Sequence, residues 1–268
     1  DQYVFFATAQ GMVKKVQLSA FKNVRSQGIK AIALKEGDYL VGAAQTSGSD
    51  DIMLFSNLGK AIRFNEYWEK SGNDEAEDAD IETEISDDLE DETADNENAL
   101  PSGKHGVRPS GRGSGGLRGM RLPADGKIVS LITFAPEAAQ SDLQVLTATA
   151  NGYGKRTPIA DYSRKNKGGQ GNIAINTGER NGDLVAATLV GETDDLMLIT
   201  SGGVLIRTKV EQIRETGRAA AGVRLINLDE GEQLVSLERV AEEPEDASAS
   251  DEENTTESNV TTEDNTPQ

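Results

Sequence analysis

Phe6-Ala-Thr-Ala-Gln-Gly11-Met-Val-Lys14-Lys15 recurs in altered form three more times along this chain. The other copies are Leu54-Phe-Ser-Asn-Leu-Gly59-Lys-Ala-Ile-Arg63, Thr147-Ala-Thr-Ala-Asn-Gly152-Tyr-Gly-Lys155-Arg156 and Leu198-Ile-Thr-Ser-Gly-Gly203-Val-Leu-Ile-Arg207. Each is an apolar run, a turn glycine and a second run with a cation four positions after the glycine. Self-similarity on this scale marks a propeller, solenoid or array. Asn151-Gly152 between two strand-like runs predicts a two-residue type I′ hairpin.

A second element follows each hairpin: Gly28-Ile-Lys-Ala-Ile-Ala-Leu34, Gly116-Leu-Arg-Gly-Met-Arg-Leu122, Gly171-Asn-Ile-Ala-Ile-Asn-Thr177 and Gly222-Val-Arg-Leu-Ile-Asn-Leu228. A polar turn then leads into another apolar strand, at 39–43, 127–132, 183–189 and 233–237. A unit therefore holds about four strands in about 45–50 residues, the size of a propeller blade. The fold class expected is all-β, a β-propeller.

The net charge of −19 conceals two populations of residues. Residues 74–97 hold 14 carboxylates and residues 242–268 hold 10, with no Lys or Arg in either stretch. Outside them stand 22 acids against all 27 bases, so a mildly basic body carries two polyanionic segments. Like-charge blocks with few apolar residues cannot repay chain entropy and are expected to be disordered. The division expected is 1–68 for the first two units, 69–108 for an acidic insertion, 109–241 for the remaining two units, and 242–268 for an acidic tail. The glycine run 111–116 reads as a flexible exit from the insertion. The start at Asp1 inside a strand-like run reads as a piece of something longer.

Mean hydropathy is −0.51 and no apolar run is long enough to cross a bilayer. Cys is absent, which excludes disulfides and thiolate metal sites. His105 is the only histidine and sits in a solvated Gly/Lys/Ser stretch, so a His-based triad or metal cluster has no material. No catalytic and no metal-ligating residue is expected. The cations are the candidates: Lys15, Arg63, Arg156 and Arg207 are equivalent, Lys14 and Lys155 flank two of them, and Arg118, Arg121 and Arg224 recur in the second element, with Lys30 at the position of Arg118 and Arg224. Arg164, Lys165 and Lys167 stand beside glycines that let backbone amides approach a phosphate. Edge strands also use cations to block pairing, but four equivalent positions point to one track gripping a polyanion. Aromatic residues make up 4%, too few for a single-strand stacking platform, which favours duplex backbone.

The first hairpin, Asp51-Ile-Met-Leu-Phe-Ser56, Leu146-Thr-Ala-Thr-Ala-Asn-Gly-Tyr-Gly-Lys-Arg-Thr157 and Glu179-Arg-Asn-Gly182 together resemble the C-terminal domain of bacterial DNA gyrase A, over almost all of 3–240 apart from the insertion. The resemblance implies a propeller of the pinwheel kind, whose neighbouring blades exchange strands and whose basic perimeter bends duplex DNA. In the parent, wrapping feeds ATP-driven strand passage that introduces negative supercoils. ATP and Mg would bind elsewhere, and no cofactor is expected in this piece. Partners implied are double-stranded DNA, the remainder of gyrase A, and gyrase B, with no membrane, in a bacterial cytoplasm at the nucleoid. The four units match the last four blades of the family. The Gln-Arg-Arg-Gly-Gly-Lys-Gly type box of the first blade is missing, though Lys165-Asn-Lys-Gly-Gly-Gln-Gly171 echoes it. The cleavage tyrosine follows an Arg in the family, and no tyrosine here does, so the piece is not expected to cut DNA. With early blades missing, the ring is expected to stay open, with exposed strand edges. The acidic segments are expected to compete with DNA for the basic body. The alternatives are the equivalent domain of topoisomerase IV and a protein-binding propeller.

Overall fold

Alternating apolar residues and regularly spaced turns leave little for helices to form from, and strands dominate. The computed structural model describes residues 2–69 and 106–240. The acidic block, the acidic tail and His105 lie outside those residues, as do the expectations attached to them. Four antiparallel sheets follow one another. The first holds β1 (Tyr3–Thr8), β2 (Met12–Gln17), β3 (Leu40–Thr46) and β6 (Leu117–Arg118), in the order β3-β1-β2-β6. The second comprises β4 (Asp51–Ser56), β5 (Lys60–Asn65), β7 (Ile128–Phe134) and β10 (Asn172–Ile173), ordered β10-β5-β4-β7. In the third, β8 (Gln144–Thr149), β9 (Tyr153–Pro158), β11 (Leu184–Val190) and β14 (Val223–Arg224) run β11-β8-β9-β14. The fourth has three strands, β13-β12-β15, from β12 (Asp195–Thr200), β13 (Leu205–Lys209) and β15 (Leu234–Val240).

The fourth strand of each complete sheet comes from the next unit. β6 follows the second hairpin in sequence yet pairs with β2 of the first, Met12 opposite Arg118 and Val13 opposite Leu117. β10 and β14 repeat the exchange on β5 and β9. Consecutive units are thereby laced together, and the units interleave in sequence. Residues 106 and 107 already pack into the sheets, ahead of the expected boundary at 108. Val107 is fully buried and its N–H donates to the Glu66 carbonyl at 3.1 Å.

Three apolar cores fill the gaps between consecutive sheets. Phe5, Val13, Ile52, Leu54 and Ile62 join the first to the second. Met53, Phe55, Ile132, Val145 and Leu184 join the second to the third, and Leu146, Leu196, Leu198, Val210 and Leu237 join the third to the fourth. The short-range turns differ from the type I′ expectation. In each hairpin the glycine N–H bonds back three residues, Gly11 to Thr8, Gly59 to Ser56, Gly152 to Thr149 and Gly203 to Thr200. Glycine thus occupies the fourth turn position with positive φ, the three-residue hairpin with a G1 bulge. Asn151 is held instead by its side chain, whose amide donates to the Glu179 and Arg180 carbonyls.

Candidate nucleic-acid interface

The repeated hairpin cations are turned inward, which corrects their placement on a DNA-facing rim. Lys14, Lys15, Arg63 and Lys155 are all buried. Removing an ammonium from water costs several kcal/mol unless its donors are satisfied, and here they are. Lys14 Nζ donates to the carbonyls of Arg112 at 2.7 Å, Ser114 at 2.8 Å and Ala31 at 3.3 Å. Lys155 Nζ does the same for Gly217 and Arg218. Burial lowers both amines to about 8. Lys15 donates to the Glu66 carbonyl at 2.8 Å and pairs with its carboxylate at 3.6 Å. Desolvation pushes that lysine down and that carboxyl up.

Asp51 is the sharpest example. It is fully buried at the start of β4 and receives Arg63 at 2.6 Å and Arg164 at 2.9 Å, while the Asn65 amide donates at 2.9 Å. Arg63 also donates to the Tyr162 carbonyl at 2.9 Å. Arg164, expected near phosphate, is committed to this carboxylate. Arg156 is half-buried and binds the Ile213 carbonyl. Arg207 alone of the hairpin set is exposed, 64%, and pairs with Asp195 at 2.6 Å. Lys14, Arg63, Lys155 and Arg156 share one role, which is to fasten the loop that leads into the donated strand. That role needs register as much as ligand binding does.

The loops they fasten are themselves rich in cations. Segments 106–122, 162–177 and 213–228 contain ten Lys or Arg and one acid, Glu215. Pro109, Arg164 and Glu215 each bridge the hairpin cation of the preceding unit, so the three loops superpose residue for residue. This register puts Arg112, Lys167 and Arg218 at one equivalent position, four residues before the repeated glycine. Arg112 and Arg218 are site candidates that sequence reading missed, although counting back four from Gly116, Gly171 and Gly222 reveals the pattern. Arg108, Arg118, Arg214 and Arg224 are exposed on the same segments, while Arg112, Arg121, Lys165, Lys167 and Arg218 are half-buried, and desolvation pulls the Lys167 amine below its ordinary value. Arg224 donates to the Tyr153 hydroxyl at 2.8 Å and lies over that ring with Arg180.

The segments touch in series. Ala33 N–H donates to Ser114, Arg121 N–H to Gly169, Gly168 N–H to Gly119, and Asn176 N–H to Ala220. The glycine run 111–116 is accordingly pinned from below by Lys14, which corrects its reading as a flexible exit. Beside it lies a cleft of ≈ 410 Å³ lined by Asn23, Arg25, Gly28, Ile29, Lys30 and Arg112, three cations with no carboxylate. Acids gather elsewhere, on turns packed against the hairpin tips: Asp38 accepts from Gln10 N–H, and Asp183 from the Asn57 amide. The cation-rich loops thus form a hydrogen-bonded series, and these two carboxylates are held at the hairpin tips. Among the described residues no group of His, Cys, Asp or Glu could hold a metal ion, and no helix is long and apolar enough to cross a membrane.

Comparison with known proteins sharpens this picture. The family described as DNA gyrase C-terminal domain, beta-propeller, matches residues 2–47, 50–67, 105–135, 144–190 and 194–241. DNA gyrase A of Neisseria gonorrhoeae is 93% identical over 248 residues, 92% of this chain and 27% of that protein. DNA gyrase A of Aeromonas salmonicida is 45% identical over 92% of the chain, again 27% of its own length. The chain thus spans about a quarter of these relatives. Among solved structures, a DNA gyrase A C-terminal domain has TM-score 0.66 at 23% identity, covering 90% of this chain and 66% of that one. The C-terminal domain of a DNA topoisomerase IV has TM-score 0.69 at 21% identity, covering 89% and 62%.

Proposed function

This chain belongs to the family of the DNA gyrase C-terminal domain, and from that premise we propose that it binds and bends duplex DNA through the loop track, as the wrapping module of a DNA gyrase A. The observation that carries the reading is the superposition of Arg112, Lys167 and Arg218 on three consecutive, hydrogen-bonded loops. Cations spaced one per unit on a turning scaffold meet phosphates of a curved duplex without reading bases. Exposed Gly169, two residues after Lys167, lets backbone approach phosphate oxygens.

In the holoenzyme, the remainder of gyrase A together with gyrase B would supply DNA cleavage and the ATP- and Mg-dependent steps that drive negative supercoiling. This domain contributes no reacting group. It works in a bacterial cytoplasm on nucleoid DNA. The topoisomerase IV reading has fold likeness behind it and nothing more.

The test is topological. Nicked circles ligated with this domain bound should close with a shifted linking number, and the shift should vanish as salt rises. With about 6–8 phosphates neutralised, log K against log salt should fall with a slope of about −5 to −7. Salt-insensitive binding, or unshifted circles at saturation, would remove the wrapping function and favour a protein-binding propeller.

A further inference from the structure

The third hairpin departs from the others just after its turn glycine. The residue there is Met12, Lys60, Tyr153 and Val204 in the four copies, so only the third places an aromatic ring at that point. Strand exchange decides what the ring meets. β14 is seated on β9, with the Leu225 and Ile226 N–H groups on the Gly152 carbonyl at 2.8 and 3.3 Å, and the register sets Arg224 opposite Tyr153. Residues directly opposite in an antiparallel pair stand about 5 Å apart at Cβ, close enough for long side chains to interact. Arg224 uses both ends of its guanidinium: Nη2 donates to the Tyr153 hydroxyl at 2.8 Å and Nη1 to Asn227 Oδ1 at 3.1 Å.

A second guanidinium arrives from the turn packed on the hairpin tip. The residue before the glycine of that turn is Glu36, Asp125 and Glu230 in three units, but Asn181 in the third, where Arg180 precedes it. Asn181 is buried, and its amide donates to the carbonyls of Asn176 and Ala221, both at 2.7 Å. The Asn151 amide holds the Glu179 and Arg180 carbonyls from the other side, at 3.0 and 3.1 Å. The backbone that carries Arg180 is thereby fixed, and its guanidinium lies 4.4 Å from the Tyr153 ring centroid, against 5.4 Å for Arg224. Hydrogen bonds from Arg224 and then Arg180 pull the phenol below its ordinary value. Both arginines are exposed and the ring is half-buried. Like charges brought this close repel, and among the described residues neither guanidinium is paired with a carboxylate.

We propose that Arg180, Arg224 and the Tyr153 hydroxyl form a clamp that takes a single backbone phosphate of duplex DNA where it passes the third sheet. The phenol oxygen accepts from Arg224, which leaves its O–H to donate to a phosphate oxygen while the two guanidiniums supply the charge. Arg-to-phosphate hydrogen bonds are roughly twice as strong as neutral ones, and one anion between the two cations relieves their repulsion. Three chain segments already hold the donors in place, so little ordering remains to be done on binding. The clamp rests on the DNA reading above and adds to it an anchoring point that the other described hairpins lack.

Duplex binding by this chain and its variants across a salt series tests it. A cation lost from a phosphate of its own flattens the log–log slope by about 0.9. Two cations that share one phosphate do not add, so Arg180→Gln/Arg224→Gln should flatten the slope by about 1, and not by about 2. Tyr153→Phe removes a neutral donor. It should weaken binding about three- to tenfold and leave the slope unchanged. Circular dichroism of both variants should match the parent, because all three side chains reach solvent. A slope flattened by about 2 in the double variant would mean two separate contacts and overturn the clamp. Parent-like affinity in either folded variant would overturn it too, and in all these cases the DNA reading stands if the parent binds steeply. A parent that binds no duplex removes the clamp and the DNA reading together.

Discussion

Lys14 and Arg63 show how a residue can be conspicuous in sequence for one reason and used for another. Recurrence at fixed distance from the turn glycine was legible, and suggested a shared partner. The partner is internal: carbonyls of the following loop for Lys14 and Lys155, a buried carboxylate for Arg63. Sequence could not reveal this, because the loop is brought over the cation by strand exchange between distant segments. Arg63→Met should cost about 3 kcal/mol, the low end for a broken buried pair, since Asp51 keeps Arg164. Urea unfolding measures that loss, while the duplex affinity of the folded protein should stay within about twofold. The buried lysines also set a pH dependence. Their folded values lie near about 8, below the usual 10.5, so the unfolded chain holds more protons in that window. Their contribution to unfolding free energy should therefore rise as pH increases from about 8 towards about 10.5. Lys14→Met, though less stable, should show a shallower rise in urea midpoint over that range.

At the level of strands and turns, the sequence announced the hairpins and closing strands in their observed places, while of the four second elements Gly28–Leu34 forms no strand. It concealed the turn geometry and which sheet each second element joins. A two-residue strand such as β10 carries too little pattern to declare its partner, and the decisive bonds are to a backbone carbonyl, not to side chains. The turn glycines register the difference. Gly59 and Gly203 both have positive φ, which costs an alanine about 1–2 kcal/mol. At Gly59 the added methyl would also strike the Ile175 carbonyl of the seated strand, while at Gly203 it would meet nothing. Gly59→Ala should thus destabilise by about 1–3 kcal/mol more than Gly203→Ala. Equal urea midpoints for the two variants would mean that the exchanged strand gives way freely.

Over the whole molecule, a net charge of −19 belongs to a body with a basic track, because the surplus acids lie in two segments. That partition was readable from composition, as was the all-β repeat. The location of the track was not: it required superposing loops whose alignment is fixed by the bridges at Pro109, Arg164 and Glu215. On the proposed function, loop cations and not hairpin cations meet the duplex. The most direct measurement is duplex affinity against salt for Arg112→Glu/Lys167→Glu/Arg218→Glu beside the parent. The triple variant should remain folded, lose affinity, and flatten the log–log slope by about 3, near one for each lost phosphate contact. An unchanged slope in a folded triple variant would show that these loop cations do not meet the duplex.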